Sequence, residues 1–165
     1  MMKNVLKQIF SFILPVTVLV LVPLWIEKDF TIRVGINLIF GLILILAGLN
    51  VMVVTISSFI RIGKGTLAPW SPTRKLVIRG LYQYVRNPMI LGVLTILLGE
   101  SLCFWSKSIL TWAGSFFIIN TIYFIIYEEP DLEERFREEY TEYKKHVSRW
   151  IPRLTPYHPN QKKNK

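Results

Sequence analysis

The chain has 165 residues, enough for one domain, but 52% are hydrophobic and they fall in long uncharged runs, which excludes an ordinary soluble domain. The net charge of +9 accompanies no basic–aromatic nucleic-acid module, so it reads as membrane topology and contact with anionic lipid. Cys103 is the only cysteine, so an intrachain disulfide and a cysteine-based metal site are excluded, and two histidines, His146 and His158, do not make a structural zinc site.

Four runs are long enough to cross a hydrocarbon core, which takes roughly 17 residues or more. They predict spans over about 9–26, 34–60, 88–105 and 108–127. Lys3 and Lys7 ahead of the first run also fit a signal peptide, but no A-x-A-like site follows in LVPLWIEKD, and the length suits a span. Pro15 and Pro23 should kink this helix, with neighbours covering the freed carbonyls. Residues 27–33 read as a tight external turn. The second run has 27 residues without Asp, Glu, Lys or Arg. As a straight helix it measures about 40 Å and must tilt or protrude. Gly35, Gly41 and Gly48 lie roughly on one face, where small residues admit a close neighbour; Asn50 reads as an interhelical hydrogen-bonding group or a pocket residue.

Residues 61–87 form the longest polar connection, with Gly63, Gly65, Pro69 and Pro72 opposing a helix. A long structureless loop points to function. Its GKGT lacks the rest of the phosphate-loop pattern and is set aside. Asn87 before Pro88 predicts a helix start, whose free N–H groups suit an anionic group. Glu100, near the outer end of the third span, reads as a packing or interfacial residue. After Tyr127 the character changes. Leu132, Phe136, Tyr140, Tyr143 and Val147 make one apolar stripe, predicting an amphipathic helix over about 130–148 that packs on the loop or the bilayer surface. Pro130 marks its first turn or a bend.

Only Lys28, Arg33 and Lys107 of the 20 basic residues fall in the two short connections, so the positive-inside rule places both termini and the 61–87 loop in the cytoplasm. The expected class is all-α: an integral membrane protein of the cytoplasmic (inner) membrane with four transmembrane helices, a cytoplasmic loop and a C-terminal amphipathic cytoplasmic helix. Residues 1–154 form a single domain, and 155–165 a basic, disordered tail.

Polar groups gather at the cytoplasmic boundary. Glu128 and Glu129 either mark the exit from lipid or hold a ligand; adjacent helical residues point about 100° apart, so only one faces a given pocket. Arg86 either snorkels to a lipid headgroup or pairs with a carboxylate in a site. Tyr82 and Tyr84 read as interface aromatics or as ligand contacts.

The segments KLVIRGLYQYVRNPMILG and EEPDLEERFREEYTEYKKHVSRWIPR, with the hairpin between them, resemble the isoprenylcysteine carboxyl methyltransferases and their phospholipid methyltransferase relatives. The resemblance covers roughly residues 61–154. It implies S-adenosylmethionine as cofactor and a lipid-borne or small hydrophobic acceptor, a carboxylate or an amine, at the cytoplasmic face. It implies cofactor contacts at Lys75, Leu76, Val77, Tyr82, Asn87, Pro88, Met89, Ile90 and Glu128, and catalytic roles for Arg86 and Glu129. No metal and no nucleic acid is implied. Asn87 and Ile90 stand where the family has histidine and tyrosine, Arg137 where it has glycine, and Ser148 where it has proline. Phe124 stands about where the carboxyl methyltransferases place an arginine. A carboxylate acceptor would use a cation such as Arg86; an amine acceptor would use a base such as Glu129. The alternative is a non-catalytic four-helix scaffold or lipid-binding accessory protein. A transporter fits less well, because the spans contain almost no ionisable residues.

Overall fold

A computed structural model describes residues 13–32, 34–58 and 76–159. Lys75, Arg33, most of the 61–87 loop and the start of the first run lie outside the described residues, as does the tail beyond Pro159. The elements among the described residues are all helices, with no strand: α1 (Ile13–Ile26), α2 (Ile36–Ser58), α3 (Pro88–Cys103), α4 (Lys107–Tyr123) and α5 (Glu129–His146), with a 3-10 turn at Gly80–Gln83. Two helical stretches are long and apolar enough to cross a membrane, α2 and the Lys107–His146 stretch that contains α4 and α5; α1 and α3 are shorter apolar helices. The charge-free part of the last helix ends at Tyr127.

α1 shows how an apolar helix accommodates Pro23. Residues Thr17–Leu21 form a π turn, in which Val22 N–H reaches Thr17 O. In that register the next acceptor, Val18 O, would take its proton from residue 23, and proline has none. The indole Nε1 of Trp112 on α4 donates to Val18 O instead, at 3.1 Å. The expected cover for a proline-freed carbonyl is thus a single side chain.

α2 and α3 run antiparallel at very close range. A Cβ added to Gly41 would stand 2.7 Å from Gly99 O, and one added to Gly48 2.7 Å from Gly92 O. The reciprocal positions are also close: a Cβ on Gly99 would lie 2.6 Å from Gly41 O, and one on Gly92 3.1 Å from Gly48 O. Two pairs of glycines, each seven residues apart, therefore form one backbone-to-backbone seam. Gly35 has nothing within 4 Å and is not part of it. Asn50 is exposed, and no hydrogen bond among the described residues ties it to a neighbouring helix. Buried Met52, Val93, Ile96, Leu97, Ile109, Ala113 and Phe116 complete the core around α3.

At the end of the bundle away from Glu128 and Glu129, Ser106 caps α4 by accepting from Ile109 N at 3.1 Å and donates its hydroxyl proton to the Glu27 carboxylate. Phe30 meets Phe104 edge-on at 5.1 Å. Glu100 leaves one carboxylate oxygen buried without a partner.

α4 passes into α5 through a second π turn, Phe124–Glu128, again immediately ahead of a proline, Pro130. The amphipathic stripe predicts one helix over 130–148, and here the structure differs. Arg137 adopts φ 45° and ψ −121°, and the chain reverses there. Lys144 Nζ reaches both Glu133 Oε1 at 2.7 Å and Glu129 Oε2 at 3.0 Å. In a straight helix those residues would be roughly 16 and 22 Å apart along the axis. Arg137 stands where the resembling family has glycine, and a positive φ is what glycine tolerates best. Because the chain folds back, both halves of the stripe still face one cluster: Ile78, Tyr140, Tyr143 and Val147, with Leu76, Leu132, Phe136 and Tyr157 around it. The helix packs on the loop.

The residues after α5 are also not free, which corrects the expectation of a disordered tail from residue 155 as far as Pro159. Arg86 N–H donates to Ser148 O, Arg153 N–H to Tyr84 O, and Tyr157 N–H to Gln83 O, all at 2.9–3.0 Å. The Tyr157 ring lies against Tyr143 and stacks on His146. An aromatic ring inside the basic tail supplies the contact area that its composition conceals.

Candidate functional site

The two polar motifs meet at one end of the bundle, opposite the end that carries Glu27 and Ser106. Gly80, at φ 61°, starts the 3-10 turn Gly80–Gln83 directly after the extended Arg79. That turn carries Tyr82 and leads through Arg86 into Asn87, the N-cap of α3, with Pro88 at its first position. The Asn87 side chain does not cap the helix, so the N–H groups of Met89 and Ile90 receive no side-chain cap.

From the other side, the π turn presents Glu128 and Glu129 in different surroundings. Glu129 is 3% exposed. Its Oε1 accepts from Arg86 Nη1 at 2.9 Å and from Arg149 Nε at 2.6 Å, and its Oε2 pairs with Lys144 at 3.0 Å. Burial raises its pKa, but the hydrogen bonds from Arg149 and Lys144, with the charge of Arg86, outweigh burial and hold the carboxyl below the ordinary value. Arg86 also donates to Tyr140 Oη at 3.1 Å, while its Nε is buried with no partner. Tyr143 Oη donates to Tyr82 O at 2.6 Å, fixing the turn that carries Tyr82.

Glu128 is half-buried and is hydrogen-bonded by the Tyr123 hydroxyl. Burial raises its carboxyl above the ordinary value and Asp131 adds to the rise, against the Tyr123 hydrogen bond and the charge of Arg135. Burial pushes the Tyr82 phenol up as well, and the nearby Glu128 charge adds to that. Neighbouring carboxyls pushed in opposite directions is a pattern that separates a functional acid from a structural one.

The sequence-predicted residues therefore converge in large part. Arg86 touches Glu129, and Tyr82 feels Glu128. Asn87, Pro88, Met89 and Ile90 follow directly in α3. Val77 is buried, Leu76 packs on the tyrosine cluster, and Lys75 lies outside the described residues. Lys144 and Arg149, which hold Glu129, and Tyr140 and Tyr143, which hold the loop, are missed by reading the sequence as one straight helix. The glycine-like position of Arg137 is the signal that finds them.

A helical, largely apolar scaffold thus brings a Tyr-x-x-x-Arg-Asn-Pro segment onto a Glu-Glu pair. Residues 36–139 match the phospholipid methyltransferase family, and the chain belongs to it. It is also similar to methanethiol S-methyltransferase 1 of Bradyrhizobium diazoefficiens, 38% identical over 77 residues. That alignment covers 44% of this chain and 24% of the relative, so the chain spans about a quarter of that protein's length. No solved structure matches.

Proposed function

We propose that the chain is an integral membrane enzyme that transfers a methyl group from S-adenosylmethionine to a small or lipid-borne acceptor at the cytoplasmic membrane face. Four spans with both termini cytoplasmic fit its charge distribution. The observation that carries the reading is the Arg86–Glu129 contact at 2.9 Å, which brings the two family motifs together across 43 residues of sequence.

The residues present suit the cofactor. The open first turn of α3 at Met89 and Ile90 suits a carboxylate, and the partnerless Arg86 Nε offers a further donor. Glu128 suits an amine or ribose hydroxyls, and Tyr82 and the Val77 region supply apolar contact. When bound, S-adenosylmethionine supplies an electrophilic methyl group on a positively charged sulfur. The protein's own work is to align, to exclude water and to manage a proton.

Glu129 is poorly placed for that proton, being held charged by three cations; we assign it to anchoring the two motifs. Arg86 is occupied by the same carboxylate, and Phe124 stands where a carboxylate-binding arginine would, so a carboxylate acceptor is the less suitable class. Glu128, with its raised carboxyl, is the better proton acceptor, which favours a neutral protic acceptor. A thiol agrees with the activity for which the methanethiol relative is named, and an amine is the second reading. Isothermal titration of detergent-purified protein with S-adenosylmethionine tests the cofactor. Binding should be measurable and should weaken in Glu128→Gln and Tyr82→Ala. Absence of binding would leave the scaffold alternative standing. Labelled-cofactor assays with a small thiol, an aminophospholipid and a membrane lipid extract then separate the acceptor classes.

A further inference from the structure

We infer that the segment after α5, Arg149 to Leu154, re-enters the bilayer beside the last span as a lipid-inserted finger. The inference rests on the membrane reading above. The chain leaves lipid near Glu128 and Glu129, reverses at Arg137, and returns antiparallel to its outgoing path: Lys144 pairs with Glu133, and Arg149 with Glu129. The return does not stop at the boundary. The Trp150 ring sits 5.8 Å from the Phe124 ring and 5.2 Å from the Phe117 ring. Those phenylalanines are seven residues apart, roughly 10 Å along a helix axis. Trp150 therefore lies alongside the span between their levels, on the membrane side of the two carboxylates.

Beyond Trp150 the apolar side chains have no protein cover. Ile151 is 75% exposed and Leu154 is 99% exposed. On the last span beside Trp150, Ile118, Ile122, Ile125 and Ile126 are exposed as well. Arg149 stays with Glu129, and the Arg153 guanidinium lies over the Tyr157 ring, 5.9 Å from its centroid. The charged side chains thus fold back on protein while the apolar ones point away from it, which is the arrangement for acyl chains as solvent. The finger is also clipped to the site's own loop, through Arg86 N–H to Ser148 O and Arg153 N–H to Tyr84 O.

The test uses the full chain in phosphatidylcholine–phosphatidylglycerol vesicles. With buried Cys103 replaced by alanine, single cysteines are introduced by Leu154→Cys, Ile118→Cys in the last span and Glu139→Cys on the polar side, and each is labelled with an environment-sensitive fluorophore. Quenching by doxyl lipid is compared with quenching by iodide. The Leu154 position should behave as Ile118 does, quenched by doxyl lipid and shielded from iodide. If Leu154 follows Glu139, the finger is refuted while Ile118 still supports the span. If Ile118 also follows Glu139, the membrane reading itself falls. Protection of Leu154 from both quenchers would mean that protein covers it, which also overturns the proposal.

Discussion

Removing the charge of Glu129 separates an anchoring carboxylate from a catalytic one. In Glu129→Gln, Arg86, Lys144 and Arg149 lose their shared partner, with side-chain exposures of 9%, 38% and 22%. Breaking a buried ion pair from one side costs about 3–5 kcal/mol, because an uncompensated charge stays buried. The partial exposure of Lys144 and Arg149 places the expected loss at the lower end, about 3 kcal/mol. For a chain of this size that lowers Tm by about 6–12 °C. The assay is thermal unfolding in detergent, followed by tryptophan fluorescence. Adding Arg149→Gln to Glu129→Gln should recover part of the loss, since it removes one of the stranded cations. The pH dependence has a definite sign. A carboxyl held below its ordinary value of 4.5 adds stability above that pH and loses it as pH falls through the lower folded value. Tm should therefore be level from pH 7 to about 5 and fall below that, with a shallower fall in Glu129→Gln. If Glu129→Gln keeps the wild-type Tm but abolishes turnover, Glu129 is the base and the anchoring assignment is wrong.

Three further outcomes are expected. Gly48→Ala should cost about 1–3 kcal/mol by forcing α2 and α3 apart, whereas Gly114→Ala, with nothing within 4 Å, should be neutral or slightly stabilising; melting of the two variants in one detergent compares them. Arg137→Gly should stabilise by about 1 kcal/mol by relieving the positive φ, and Arg137→Val should destabilise and loosen the Lys144 contacts, read as faster proteolysis between residues 130 and 146. Trp112→Phe should cost about 1–2 kcal/mol by stranding Val18 O, and Pro23→Ala, which restores a backbone donor, should offset it; strict additivity in that double-mutant cycle would refute the proposed relay.

Much of the fold was legible because lipid imposes a simple grammar. Uninterrupted apolar runs become helices, Asn87 and Pro88 open one, and the flanking charges suggest which end faces the cytoplasm. The Tyr-x-x-x-Arg-Asn-Pro and Glu-Glu motifs were legible as types and in order. Pairing was less accessible: Gly41 and Gly48 announce a close neighbour, but only the packed structure selects Gly99 and Gly92 as the partners. The apolar period of Leu132 to Val147 identifies the buried face without revealing that the chain reverses at Arg137, because period reports which side is buried and a single backbone torsion decides direction. That torsion, with the π turn before Pro130, turns Glu129 into the cluster of Arg86, Lys144 and Arg149 and leaves Glu128 beside Tyr82. Local chemistry and hydropathy follow from residue identity; which of two adjacent carboxylates is locked and which is left available follows from contacts between segments far apart in the chain.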